Sequence, residues 1–482
     1  MPSAAPADRP DAGAPRPGAP LLTFYHDIEQ DLAGEVDVQQ CRRAVQAFLD
    51  VERRYGVRAT YNVAGKLMRE QPDLLGWITA GGHEVAFHAY DHPPDWAPRH
   101  SAPQIDLCRQ VSTSIAGYRS PRSEIDADAV RHLWETGFRW NAETDRRDEP
   151  YFIHKGLVRL PIAADDWPLR GGAVCPDAYV REIEHLLRQR PYVAIGFHDA
   201  ATSRALSERL TIWEELLKQA TRAQAAIVTF SEAADLYRRA AVARYYTRTA
   251  GDWNHGTQSL YRTHRFQQLV REEVERLSDA VVADLGCGGG VLSAPLRDVA
   301  NTIYCVDNAP GMLAEIDAAG CIVPHLGDAT ASGLPARSVD LIICARLIEY
   351  LYWPERLADE IRRIGRVGAT YLVTFPAARD VPPANEGTPP DRIRRHFTPD
   401  DIRRWAQPIG PGRLIGVQYD AQEPSDAAAA RRYRELEEQP PPQAVPTNWV
   451  YIGSVEDRGA VAPHAPPLDV SAAAFRFASK TL

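Results

Sequence analysis

The chain predicts an α/β protein of two domains. Three observations carry this: its length, apolar runs that end in polar side chains, and a glycine-rich turn placed directly after one such run. At 482 residues, it exceeds one ordinary core and suits two domains of about 200 residues each plus tails. A hydrophobic share of 44% is normal for a globular protein, so neither half has to be disordered.

Residues 1–19 are Pro, Ala, Gly and charge without an apolar core. They read as a disordered arm and not as a signal peptide. Leu21-Leu-Thr-Phe-Tyr-His-Asp27-Ile-Glu29 is an apolar strand that ends in carboxylates. Next comes Gly82-His-Glu-Val-Ala-Phe-His88-Ala-Tyr-Asp-His92, with two histidines four apart after a short apolar run. In one helical turn or a tight loop, that spacing lets two imidazoles converge on one divalent ion. Alone, the pair is more often a surface or satisfied core feature. Its company is what matters: Gly117-Tyr-Arg119-Ser-Pro121, Asp165-Asp166-Trp167, and Ile195-Gly-Phe-His198-Asp199 at the end of another apolar run. Strand ends on one rim of an α/β barrel bring such distant residues together. A metal-assisted hydrolase needs a third ligand, a base for water, a group that keeps the base ionised, and an acid for the leaving nitrogen. Taken singly, Arg119 could be a turn arginine, Trp167 core, and His198 a buried histidine bonded to backbone.

This ordered set resembles the polysaccharide deacetylase (NodB-like) family over about residues 20–240. The resemblance implies a distorted (β/α) barrel and hydrolysis of an acetamide at zinc, or at cobalt or nickel. Carried over by position, His88 and His92 would be metal ligands and His198 the general acid. Arg119 would orient the catalytic carboxylate, and Asp166 or Trp167 would support the site. The first motif departs from the commonest pattern of two adjacent aspartates. Here Asp27 and Glu29 are separated by one residue. The resemblance is carried over with Asp27 as the base and Glu29 as the third ligand; the other frame makes Asp27 the ligand and leaves the base open. A degenerate, inactive deacetylase domain is the alternative this departure leaves open.

Past the middle, Val281-Val-Ala-Asp284-Leu-Gly286-Cys-Gly288-Gly289-Gly290 predicts a buried strand running into a glycine turn before a helix. Glycines there permit close backbone approach to a ligand, and a helix start offers free N–H groups. The next strand, Asn301-Thr-Ile-Tyr-Cys-Val-Asp307, ends in an acid about 20 residues on, a distance that suits a ribose diol. A third strand region ends in Gly327-Asp328-Ala329. A fourth, Val339 to Tyr350, is continuously apolar at first, as a strand covered on both faces should be.

These features, with Leu334-Pro-Ala-Arg-Ser-Val-Asp340 and Phe397-Thr-Pro-Asp-Asp-Ile402, resemble class I S-adenosylmethionine-dependent methyltransferases over roughly residues 245–455. The resemblance implies a Rossmann-like sheet of seven strands. It places Asp284 and the glycines Gly286, Gly288 and Gly290 around the methionine part of the cofactor. It assigns Asp307 to the ribose and Asp328 to the adenine amino group. A nicotinamide dehydrogenase competes for the same turn. That pattern wants a small residue where Val291 stands, and it has no use for Asp284 or Asp328.

The expected organisation is an arm (1–19), a deacetylase-like domain (20–240), a methyltransferase domain (241–455) and a tail (456–482). Ile227 to Tyr237 reads as the closing strand and helix of the first domain. Arg244-Tyr-Tyr-Thr-Arg248 and Tyr261-Arg-Thr-His-Arg-Phe266 then start a helical lead-in to the second, its aromatics either lidding the cofactor or simply packing. The proline-rich Pro382–Pro390 segment interrupts the second domain and could cover an acceptor site. Formal net charge is −9 with no basic aromatic patch, which argues against a nucleic-acid partner. No apolar run is long enough to span a bilayer. Seven scattered cysteines without a CxxC pair argue for a reducing compartment, hence a cytoplasmic protein. A soluble substrate follows: an N-acylated sugar, sugar nucleotide, glycan precursor or secondary metabolite. The expected function is a bifunctional tailoring enzyme, N-deacetylation plus methyl transfer to a small-molecule hydroxyl or amine. The alternative is a methyltransferase whose first half only binds sugar.

Overall fold

A computed structural model describes residues 19–30, 38–93, 95–253, 260–378, 395–420 and 422–459. Residues 1–18 of the expected arm, the Pro382–Pro390 segment and the tail beyond residue 459 lie outside them. The described residues form two compact units, one up to Arg238 and the other from Arg239.

The first unit is built on a parallel sheet in the order β6-β7-β5-β4-β3-β2-β1-β8. Its strands are β1 (Leu21–Ile28), β2 (Thr60–Val63), β3 (Glu84–His88), β4 (Gly117–Arg119), β5 (Trp140–Thr144), β6 (Tyr151–His154), β7 (Leu157–Ile162) and β8 (Tyr192–His198). All pairs are parallel except the hairpin of β6 with β7. Just past β7, a bridge from Ala164 to Ile195 joins this strand to β8. The sheet thus closes into a distorted barrel. β9 (Ala226–Ile227) pairs with the first residues of β1, below the point where β2 begins. Tight interior packing needs glycine at two places. A Cβ at Gly117 would stand 1.8 Å from Trp140 Cζ2, and one at Gly196 2.0 Å from Tyr25 Cζ.

Register decides what meets at the rim. Asp27 lies opposite Asn62 on one side and His198 on the other, and His88 lies opposite Arg119. Each of these residues stands at the carboxyl end of its strand, where barrel sites are assembled.

The second unit holds a seven-stranded sheet in the order β12-β11-β10-β13-β14-β16-β15. Its strands are β10 (Val281–Leu285), β11 (Thr302–Asp307), β12 (Ile322–Leu326), β13 (Val339–Cys344), β14 (Gly365–Pro376), β15 (Gly412–Val417) and β16 (Asn448–Ser454). The first five are mutually parallel, and β16 runs antiparallel to both β14 and β15. Strand order reverses between β10 and β13, so a crevice opens at their carboxyl ends.

Two expectations need correction. No α-helix follows the glycine turn: the chain makes turns and then one 3-10 turn, Ala294–Leu296. Pro295 lacks an N–H and its ring clashes inside a helix, which explains the failure. The helix-start N–H groups are therefore not available there. Also, the closing helix and the first part of the aromatic lead-in are one continuous helix, Phe230–Arg248, while Tyr261–Phe266 starts a helix as expected, Tyr261–Val274. Nothing between Tyr237 and Arg244 is a helix breaker. Among the described residues, no helix is long and apolar enough to cross a membrane.

Candidate active sites

β1 delivers two carboxylates to the barrel rim. Asp27 is fully buried. Its Oδ2 accepts from Arg119 Nε at 2.7 Å and its Oδ1 from Asn62 Nδ2 at 2.8 Å. Burial alone would raise this carboxyl, but the Arg119, His88 and His198 charges outweigh it and hold Asp27 well below the usual carboxylate range. Arg119 is itself gripped by Ser123 Oγ at 3.0 Å and by Glu143 Oε2 at 3.5 Å.

Two residues on, Glu29 turns to the histidines. His88 Nε2 donates to Glu29 Oε2 at 2.9 Å, and His92 Nε2 lies 3.5 Å from the same oxygen. One donor atom from each of the three falls within 4.8 Å of the others. The histidines do not share a helical turn. His88 ends β3 and His92 sits in the loop that follows. Gln104 Oε1 pins that loop by accepting from Tyr90 N at 3.0 Å and Asp91 N at 2.8 Å. Burial, with His88 and Arg122 beside it, lowers His92 to about 4 against the pull of Glu29. A ligand histidine must be neutral, so this environment suits the task. Two imidazole nitrogens and one carboxylate oxygen, all buried, fit a divalent ion with positions left open for water and substrate.

His198 completes the rim. Its Nδ1 donates to Asp166 Oδ1 at 2.6 Å, and its Nε2 faces Asp27 Oδ2 at 3.5 Å. Burial alone would lower this histidine. The Asp166 bond and charge, then Asp27 and Glu29, raise it instead to about 10. Trp167 stands beside it, ring centroids 4.9 Å apart, with 42% of its surface exposed. Three supporting residues were not assigned from the sequence: Asn62, Glu143 and Asp199. Asn62 carried a usable signal, a polar residue in an apolar strand region. Asp199 is fully buried and accepts from the backbone N–H of Glu29 and Gln30, at 3.4 and 3.1 Å, fixing the segment after β1.

In the second unit, Gly286, Gly288 and Gly290 all have positive φ, at 74°, 55° and 74°. This is backbone that favours glycine. Asp307 Oδ2 accepts from Gly288 N and its Oδ1 from Ala309 N, each at 2.9 Å, which ties the glycine turn to the end of β11. Asp284 is buried and, among the described residues, has a single donor, Ser293 Oγ at 2.7 Å. Burial pushes it up to about 7, with Asp307 adding to the rise and Ser293 opposing it. Burial also raises Asp307, partly offset by its backbone donors. Asp328 accepts from Arg239 Nη1 at 2.8 Å and from Thr330 N at 2.7 Å. Burial would raise it, but Arg239 and Thr330 bring it below its ordinary value. A positive-φ turn leading from a buried, underdonated carboxylate, with a second carboxylate one strand over, fits a cofactor bearing a cation and a diol.

Two family models match the chain: polysaccharide deacetylase over residues 33–139 and a methyltransferase domain over residues 283–373. The first stretch contains His88, His92 and Arg119. The second contains Asp284, the three glycines, Asp307 and Asp328. A chitooligosaccharide deacetylase of Rhizobium leguminosarum bv. trifolii is 29% identical over 153 residues, 31% of this chain and 63% of that protein. The chain thus spans less than two thirds of that relative. A family 4 carbohydrate esterase from Streptomyces lividans in complex with acetate is 16% identical, with a TM-score of 0.31, covering 44% of this chain and 91% of its own. The YcgJ protein from Bacillus subtilis is 15% identical, with a TM-score of 0.30, covering 41% and 100%. The N-terminal half resembles the polysaccharide deacetylases, and the C-terminal half resembles class I methyltransferases.

Proposed function

We propose that this chain carries two chemistries. One is metal-dependent removal of an N-acyl group, acetyl first, from an amino sugar or related soluble metabolite. The other is methyl transfer from S-adenosylmethionine to a small-molecule hydroxyl or amine. The proposed domain limits are 20–240 and 241–455. The observation that carries the reading is the meeting of Glu29, His88 and His92 within 4.8 Å, directly beside the Asp27–Arg119 and His198–Asp166 pairs.

Glu29, His88 and His92 would hold the ion. When bound, a divalent ion such as zinc, cobalt or nickel supplies Lewis acidity to an acyl carbonyl and to water. Asp27, kept ionised by Arg119 and Asn62, accepts the proton of the attacking water. His198 presents its Nε2 proton to the departing nitrogen, and Asp166 holds the opposite ring nitrogen so that this proton faces the substrate. The proton that Asp27 takes and the proton that His198 gives balance over one turnover, leaving a carboxylic acid and an amine. In the second half, Asp307 offers its remaining lone pairs to a diol, and Asp284 stands beside the glycine turn where a cationic amino group would rest. S-adenosylmethionine supplies the methyl group when bound. Such transfer needs chiefly positioning.

Elemental analysis of the native chain and of a His88→Ala, His92→Ala double variant tests the first half, with acetate release from N-acetylated sugars alongside. About one equivalent of metal, lost in the variant together with acetate release, is the expected result. A native chain that takes up no metal even when supplied would leave the first half as a binding module. Calorimetric titration with S-adenosylhomocysteine tests the second half, and absence of binding would remove the methyltransferase reading.

A further inference from the structure

Glu349 lies in a single 3-10 turn, Ile348–Tyr350, just past the carboxyl end of β13. In open α/β sheets this edge is where ligands sit. The side chain is fully buried, and neither carboxylate oxygen has a hydrogen-bond donor among the described residues. Among the described residues its ion-pair partner is Arg346, with Nε 3.5 Å from Oε1, a pair without a well-formed hydrogen bond. A buried carboxylate left in this state is costly unless something donates to it.

The turn is built with care around that side chain. Arg346 holds a φ of 58°, left-handed backbone for a non-glycine residue. Its N–H is tied to Thr374 Oγ1 at 2.9 Å. Strained backbone of this kind clusters at functional sites. Tyr350 and Tyr246 neighbour the Arg346 guanidinium. The cofactor turn is adjacent: a Cβ on Gly286 would come within 2.8 Å of Leu347 Cδ2. Burial, then the Asp284 and Glu349 charges, push the Cys344 thiol at the end of β13 up.

We propose that Glu349 receives the methyl acceptor and that the acceptor is an amine, bound as its ammonium. This rests on the methyltransferase reading and narrows its hydroxyl-or-amine acceptor to the amine. An ammonium brings charge and up to three donors to two undonated oxygens, whereas a hydroxyl brings one neutral donor. Once bound, the nitrogen gives one proton to Glu349. The N–H bond breaks, the O–H bond forms, and the nitrogen keeps the lone pair that a methyl donor requires. The proton later returns to solvent. An N-deacylation yields an amine of this class.

The test is calorimetric titration of the full chain, saturated with S-adenosylhomocysteine, using glucosamine and glucose as probes. The native protein should bind glucosamine about tenfold or more tightly than glucose, and Glu349→Gln should erase the difference. S-adenosylhomocysteine affinity should be equal in both proteins, which shows that the variant folds. Retained amine preference in Glu349→Gln, equal binding of the two sugars, or no binding of glucosamine at millimolar concentration would each overturn the proposal. Failure of the native chain to bind S-adenosylhomocysteine is a different result, one that brings down the cofactor reading on which the proposal stands.

Discussion

Two pairs of buried carboxylates, Asp27 with Glu29 at the barrel rim and Asp284 with Asp307 at the glycine turn, are handled in opposite ways. At the barrel rim, the three carboxylates assigned from sequence each face a cation or imidazole from the chain itself: Asp27 with Arg119, Asp166 with His198, and Glu29 with His88 and His92. For Asp27 and Glu29 the protein's positive groups outweigh burial and lower the pKa. In the second unit, Asp284 and Asp307 meet a hydroxyl and backbone N–H groups, and burial raises both. The first arrangement is charge-balanced from within and suited to moving protons. The second is short of positive charge at Asp284 and Asp307, while Arg239 balances Asp328, and it suits a ligand that brings a cation to the glycine turn.

The sharpest way to break the comparison is Asp27→Asn. If Asp27 is the base, acetate release should fall by about 10²- to 10⁴-fold, with metal content and S-adenosylhomocysteine affinity unchanged. Unaltered acetate release would remove Asp27 from the chemistry. A smaller effect is expected from Asp307→Ala, which takes away a carboxylate offered to a ligand. S-adenosylhomocysteine binding should weaken by about tenfold to hundredfold, read by calorimetry, while acetate release stays at the native level.

Smaller still is the pH response of the rim. His198 is raised to about 10, above the ordinary histidine range. The stability and acidity it contributes are therefore complete below that range and lost as pH climbs through about 10. Asp166→Asn removes the largest raising cause, so the alkaline limb of kcat/KM should move to lower pH. A limb that stays in place would show that some other group sets it.

The last effect is a modest one in stability. Asp284 is raised to about 7, so its protonated form favours the fold. The stability it lends declines as pH rises from the ordinary carboxylate range through about 7. Asp284→Asn remains neutral throughout. Its Tm without ligand should exceed the native value at pH 8 and match it near pH 4. A lower Tm at pH 8 would mean that the ionised carboxylate is stabilised by something other than Ser293.

Much of the fold and of both candidate sites was legible in the sequence because local pattern carries it. The carboxylates closing an apolar run at Asp27 and Glu29, the paired His88 and His92, and the run ending at His198 are all strand-end signals. The glycine run after Asp284 similarly marks a turn of positive φ. Two expectations failed where a local signal, a proline or the lack of any breaker, points the other way. The helix expected after Gly290 is cut off at Pro295, and the helix expected to end before residue 240 runs on to Arg248.

What the sequence determined by itself was the kind of the strands and turns that build the sites and the side chains at their ends, since both follow from short-range periodicity and turn chemistry. What only the tertiary structure decided was who meets whom. Strand register set Asp27 between Asn62 and His198 and turned Glu29 to the histidines. Among the described residues, packing left the buried Glu349 side chain without a donor while giving Asp27 two. Register and burial arise from long-range pairing and packing, and no window of the chain contains them.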